Sequence, residues 1–418
     1  RRRSGRGEKS NDDGGGSKWK GSDQDRLDDL IRSSGLVPAP ASAGRAKPAD
    51  RKQVADRKRS GEPPPPSDGG AAAAGRPIPL GTRYRYLRDG HAPLRGLVDP
   101  GTVRSIRSAA ARVSRDGELA AWQQKVSVAL SLPLRSVRSE PAGAYGSVRA
   151  CAEALRRRGV PADDLPFLQF FNLWRTVPAA REVATSPELC RAAADLMGVR
   201  GVRLYQDALF HKRGGGDGGG GNTVDGPTPW HIDARMAPFD TSAYVTFWIP
   251  LDPVPAPERG GTGLLFVSGS HSDVALPYWH GGCSAAGRGD GAYADLDGRY
   301  FADDDDGSPA HHMPLAEGDA TAHSGWTLHS APPGRAGGED RLALAVSYVE
   351  SGAPVREDVP GVGANIGAKR DGRAVRKGFL GDDEDAESYA DWIGDVRSGE
   401  RFFEHDLVPI VWPRAKRP

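Results

Sequence analysis

The chain has 418 residues, 38% of them hydrophobic and 27% charged, with a formal net charge of +1. That length could hold about two or three average domains, and the near-neutral balance gives no case for a nucleic-acid partner. Its cysteines, Cys151, Cys190 and Cys283, lie too far apart to suggest a disulfide framework or a zinc site, which points to an intracellular, reducing compartment, and no apolar run approaches the roughly 20 residues of a membrane span.

Residues 1–76 carry 17 Lys and Arg against 11 Asp and Glu, few apolar residues, and the proline run Pro63 to Pro66. Such a segment cannot bury enough apolar surface to offset its ordering entropy, so disorder is expected. Its acidic residues argue against an intact transit peptide; a weak contact with an anionic surface is the other reading.

From residue 77 on, one large domain is expected. Val103, Ile106, Ala110 and Val113 form an apolar stripe at helical spacing behind Asp99-Pro100. Ser186-Pro187 through Gly198 shows an N-cap, a first-turn proline and a C-terminal glycine around Leu189, Ala193 and Leu196. Both helices are expected to buttress a sheet.

Past a Gly-rich insertion, Gly214 to Asn222, comes the triplet His231-Ile232-Asp233. On an extended chain, side chains two apart share a face, so His231 and Asp233 present an imidazole and a carboxylate to one metal while Ile232 turns into packing. A second triplet, His271-Ser272-Asp273, follows Ser268-Gly269-Ser270, a turn signal after the strand Leu264 to Val267. The first is preferred because Trp230 precedes it and a clear strand, Tyr244 to Pro250, follows it.

A second Gly/Asp-rich insertion, Gly281 to Ser308, is too long for a tight connector. Its Tyr293, Leu296, Tyr300 and Phe301 suggest a lid with apolar contacts, against the alternative of a surface loop. Asp303 to Asp306 lack the regular spacing of a calcium loop, and the Gly-rich tracts lack the Lys-Ser/Thr of a phosphate loop.

His329 ends the apolar stretch Trp326-Thr327-Leu328-His329, expected to be a strand, and supplies a third ligand. Two histidines and a carboxylate are the facial triad of non-haem Fe(II) oxygenases, with three positions left for cosubstrate and O2. A turn from Pro332 to Gly338 is expected to fold the strand Arg341 to Val349 back beside the strand bearing His329. The Arg341 guanidinium could grip a remote carboxylate in a planar fork. Arg341, Ala343, Ala345 and Ser347 share one face, small enough to leave a lumen, and Leu342, Leu344, Val346 and Tyr348 share the packed face.

Several of these stretches resemble the phytanoyl-CoA dioxygenase family of Fe(II)/2-oxoglutarate oxygenases. Thr228 to Asp233 is similar to its proximal motif, Gly260 to His271 to its glycine-rich strand, and Glu317-Gly318-Asp319, His329-Ser330 and Arg341 to its distal half. Asp89 to Val98 is similar to its opening strand, and the whole resemblance covers about residues 84–412. It implies a mainly β double-stranded β-helix (jelly-roll, cupin-like) barrel with flanking helices. It implies Fe(II) on His231, Asp233 and His329, and 2-oxoglutarate held by Arg341, with Lys212, Gln206 and Trp248 beside it. The bland alternatives are that Trp248 is ordinary core and Lys212 an exposed cation. One departure is Ala331, where some members carry a serine that contacts 2-oxoglutarate; Ser330 is the candidate substitute.

The expected reaction is hydroxylation of a small-molecule C–H bond, with 2-oxoglutarate decarboxylated to succinate and CO2. Halogenation is disfavoured because halogenating relatives carry a small residue where Asp233 stands. A cupin-like hydrolase or isomerase using the same ligands without 2-oxoglutarate, and a non-catalytic binding protein on the same scaffold, stay open, since a fold alone decides neither.

Overall fold

A computed structural model describes residues 77–139, 144–159, 167–214, 226–273, 309–334, 339–357, 359, 362–366 and 386–413. The N-terminal segment, the Gly-rich insertion from 215 on and the whole of the expected lid lie outside the described residues, as does Cys283.

Alternating apolar and small residues build two antiparallel sheets. The larger holds β1 (His91–Leu94), β2 (Leu168–Phe171), β3 (Val202–Lys212), β5 (Tyr244–Pro250), β8 (Ala320–Ser324), β10 (Arg341–Glu350) and β11 (Ile410–Trp412). Its order is β1-β8-β5-β10-β3-β11, with β2 also paired to β3. The smaller holds β4 (Thr228–His231), β6 (Leu265–Phe266), β7 (Ala310–His311) and β9 (His329–Ala331), in the order β4-β9-β6-β7. From β3 to β10 the chain passes back and forth between the sheets, the winding of a double-stranded β-helix.

That winding corrects one expectation. β10 does not fold back beside the strand of His329; it pairs with β3 and β5 in the other sheet, while β9 pairs with β4 and β6. β9 and β10 thus belong to different sheets and form no hairpin, a distinction that the turn residues between them do not encode. β9 also begins at His329, where the strand was expected to end, since Trp326 and Thr327 form a turn that ties to the Thr241 and Gly90 carbonyls.

The parity expected for β10 holds. Leu342, Leu344, Val346 and Tyr348 join Phe247, Ile249 and Leu209 in the main core, packed against helices. These are α1 (Leu80–Asp89), α2 (Pro100–Ala129), α5 (Pro178–Ala184) and α6 (Pro187–Met197). Between α2 and α5, α3 (Leu134–Ser139) and α4 (Val148–Arg157) close a smaller cluster around Trp122, Val126 and Leu155. The helix signals in the sequence are the ones used: Asp99 Oδ2 accepts the Thr102 amide at 2.9 Å, Ser186 Oγ accepts that of Leu189 at 3.1 Å, and Gly198 takes the left-handed C-cap at φ 71°.

The Glu317-Gly318-Asp319 motif is a clasp. Gly318 has φ 90°, and a Cβ there would stand 2.4 Å from the Val98 carbonyl oxygen. Asp319 accepts the Gly96 and Ala316 amides and pairs with Arg95 at 2.8 Å, docking the segment after β1 onto the approach to β8. At the opposite end, fully buried Arg203 donates to the carbonyls of Phe403, Val408 and Ser351 and lies over the Phe403 ring, which fastens the C-terminal segment and its Trp392 to β3.

Candidate active site

β4 and β9 are paired so that His231 stands opposite His329. β4 ends there, but Ile232 keeps extended angles (φ −124°, ψ 126°), so alternation persists one residue further: Ile232 is buried and Asp233 returns to the face of His231. The ligand atoms of His231, Asp233 and His329 all lie within 4.8 Å of one another, the only such group among the described residues. His271 stands elsewhere, in the turn Ser270–Ser272, with its Nε2 on the Leu87 carbonyl.

Each ring is oriented by its backbone. His231 Nδ1 donates to the Pro229 carbonyl at 2.8 Å and His329 Nδ1 to that of Thr327 at 2.9 Å, so both Nε2 lone pairs face the cluster. Burial pushes the His329 imidazole well below its ordinary value, towards the neutral ligand form. For Asp233 burial acts upward, but His329, His323 and His231 outweigh it and hold the carboxyl well below the usual carboxylate range. Its Oδ1 is 3.5 Å from both His231 Nε2 and His329 Nε2.

Strand register carries this face across the larger sheet. Thr246 stands beside His323 on one side and Ser347 on the other, and Ser347 beside Gln206. Thr246 Oγ1 donates to Asp233 Oδ2 at 2.7 Å, which ties this row to the His231, Asp233 and His329 cluster. The next row along is Thr321, Trp248, Ala345 and Ala208, then come Ala343 and Phe210, and last Arg341 and Lys212. Alanines thus occupy the path between the His231, Asp233 and His329 cluster and Arg341, with Trp248 as a wall.

Arg341 ends this path in an unusual state. Its Nε and Nη1 are buried without a hydrogen-bond partner among the described residues, and its guanidinium carbon lies 5.6 Å from the Trp248 ring centre. Burial lowers its pKa to about 10. Gln206 Oε1 and Thr321 Oγ1 on the same face are likewise unpartnered. Lys212 is buried rather than exposed, and its ammonium donates to the Ala331 and Pro332 carbonyls at 3.2 and 2.8 Å. Ser330 cannot stand in for Ala331: Ala331 packs with Trp248, Ala343 and Ala345, and alternation sends Ser330 to the other face.

The donor set fits a ferrous ion: two imidazoles and one carboxylate on one side, and, within the same lumen, the Arg341 guanidinium, whose Nε and Nη1 are buried and unpartnered among the described residues, for a dicarboxylate. The alternation of β10 put Ser347 on the lumen face, but His323 and Thr321 were not singled out from the sequence. A signal for both exists in Ala320-Thr321-Ala322-His323, whose alternation puts the polar side chains opposite the packed alanines.

A family model described as phytanoyl-CoA dioxygenase matches residues 86–343, more than half of the chain. No curated protein matches. Among solved structures, the chain is similar to the non-haem α-ketoglutarate-dependent epimerase SnoN of nogalamycin biosynthesis, at 21% identity over 79% of this chain and 97% of that one, with a TM-score of 0.47. It is similar to the α-ketoglutarate-dependent carbocyclase SnoK of the same biosynthesis, at 19% identity over 80% and 99%, TM-score 0.47. A third is EctD from S. alaskensis, solved with 2-oxoglutarate and 5-hydroxyectoine, at 14% identity over 67% and 79%, TM-score 0.42.

Proposed function

The chain belongs to the phytanoyl-CoA dioxygenase family, iron- and 2-oxoglutarate-dependent oxygenases, and from that premise we propose that it hydroxylates a C–H bond of a small molecule. In this reading His231, Asp233 and His329 hold Fe(II), and Arg341 receives the distal carboxylate of 2-oxoglutarate. When bound, the iron supplies the redox chemistry that couples decarboxylation of 2-oxoglutarate to oxidation of the substrate.

The protein's own part is positioning. The carbonyls of Pro229 and Thr327 fix both imidazole tautomers before any ion arrives, so the ligands need no reorganisation. Thr246 and Ser347 buttress the carboxylate side. Trp248 walls the alanine path with its ring centre 5.6 Å from the Arg341 guanidinium carbon, beside the donors that would form the charge-assisted pair. Lys212, held by two carbonyls, adds positive potential at the same end. Asp233 occupies the place that a halide would need, which favours hydroxylation over halogenation.

The observation that carries this reading is that Arg341, on the face of His231, Asp233 and His329, holds its Nε and Nη1 buried and without a partner among the described residues. Anaerobic titration with Fe(II) and then 2-oxoglutarate tests it. The expected result is the visible charge-transfer band of the chelate, saturating with one equivalent of each; a protein that binds Fe(II) yet never develops the band with 2-oxoglutarate refutes the reading.

A further inference from the structure

Asp233 has two carboxylate oxygens in different surroundings. Oδ1 faces both ligand imidazoles at 3.5 Å. Oδ2 turns away to accept two hydrogen bonds, from Thr246 Oγ1 at 2.7 Å and from His323 Nε2 at 3.2 Å. A carboxylate only accepts, so His323 must carry its proton on Nε2. The ring cannot easily leave: His323 is 1% exposed, its centre lies 4.2 Å from that of His329 and 5.7 Å from that of Phe266, and β8 is held by β1 and β5 on either side. Thr246, by contrast, shares its hydroxyl with Ser347 at 3.0 Å and can rotate about one bond.

Resting on the assignment of His231, Asp233 and His329 as the metal ligands, we infer that His323 is a positioning residue that keeps Asp233 a one-oxygen ligand by occupying its second oxygen. The consequence is one of counting. An octahedral ion with three protein donors and a chelating 2-oxo acid has one position left for O2. A carboxylate free to turn both oxygens inward would take that position. Two donors on Oδ2, one of them on a rigid packed ring, prevent the turn. Outer partners of metal ligands typically change affinity or activity by about 10- to 100-fold when removed.

The test uses the full chain freed of metal, with His323→Leu, which removes the donor, and His323→Gln, whose amide nitrogen lies as many bonds from the backbone as Nε2. Co(II) titration reads coordination number from the intensity of the d–d bands, and the anaerobic Fe(II)·2-oxoglutarate band is then exposed to air. Expected are wild-type Co(II) spectra and band decay in the Gln variant. The Leu variant should show altered d–d intensities and a band that forms but decays about tenfold more slowly. Should the Leu variant fail to unfold cooperatively, His323→Asn, one bond too short to reach Oδ2, replaces it with the same expectation. The inference is overturned if the donor-less variant matches wild type in both readouts, or if the Gln variant is as altered as it. A wild-type chain that binds no Co(II) overturns the ligand assignment, and this inference with it; wild-type binding beside an unaltered Leu variant overturns the role of His323 alone.

Discussion

Replacing Arg341 by Ala should have two effects of opposite sign. Without cosubstrate, the guanidinium is a charge with two buried donors, Nε and Nη1, that lack a partner among the described residues, and burial has already lowered its pKa to about 10. Removing it relieves desolvation, so the variant apoprotein should melt no lower than wild type. With cosubstrate the balance reverses. Losing one member of a desolvated charge-assisted pair costs about 2 to 5 kcal/mol, or roughly 30- to 5,000-fold in affinity. A ligand at 100 times its Kd stabilises by about 2.7 kcal/mol, and after a thousandfold loss the same concentration stabilises by less than about 0.1 kcal/mol. Thermal unfolding of the Mn(II)-loaded protein with and without 2-oxoglutarate should therefore show a clear upward shift for wild type and almost none for the variant. Arg341→Lys should recover part of it, having charge without the fork. A wild-type-sized shift in the Ala variant would refute the anchor, and an apoprotein melting several degrees lower would mark Arg341 as structural.

Three further outcomes are expected. His231→Ala and His329→Ala should abolish tight Fe(II) binding while His271→Ala, whose ring serves a turn, leaves it within about threefold by equilibrium dialysis; the reverse pattern would move the metal site. Burial lifts the Asp207 carboxyl to about 7 even though the Trp174 and Leu173 amides donate to it. Its folded pKa exceeds the unfolded value of about 3.9, so the native state binds more protons between those values and stability falls as pH rises from about 4 to 7. Asp207→Asn should flatten that slope in urea melts and gain about 2 to 4 kcal/mol at pH 8, and an unchanged slope would show that the group does not titrate there. Gly318→Ala should destabilise by about 2 kcal/mol or more, because its Cβ would meet the Val98 carbonyl oxygen at 2.4 Å on a backbone with φ 90°; an unaltered denaturation midpoint would mean that the clasp yields freely.

The legible parts of this molecule are those written in local periodicity. The strand from Tyr244, the alternation of β10 and the capped helices at 100 and 187 each carry their own pattern, and the triplet at 231 works because alternation outlasts the strand by one residue. The partner of β10 was not legible, since crossing between layers is settled by long-range packing and a proline-rich turn serves either outcome. His323 was hidden for a different reason. Its significance comes from Thr246 and Asp233, both distant in sequence, and a single histidine in a small-residue strand carries no spacing of its own. Lys212 was found by resemblance, but that its ammonium is spoken for by two carbonyls is a property of β9, not of its neighbours in the chain.

The row of alanines between Arg341 and the metal ligands acts as a measuring stick. Successive same-face positions on a strand are about 6.8 Å apart, and that pitch is fixed by backbone hydrogen bonds to β3 and β5 rather than by side chains. The separation of Arg341 from the His231, Asp233 and His329 cluster is therefore set by the paired backbone of the larger sheet. Selection for a new substrate can remodel the segments that join the strands without recalibrating it, so one scaffold can keep a single oxidant while changing what it oxidises.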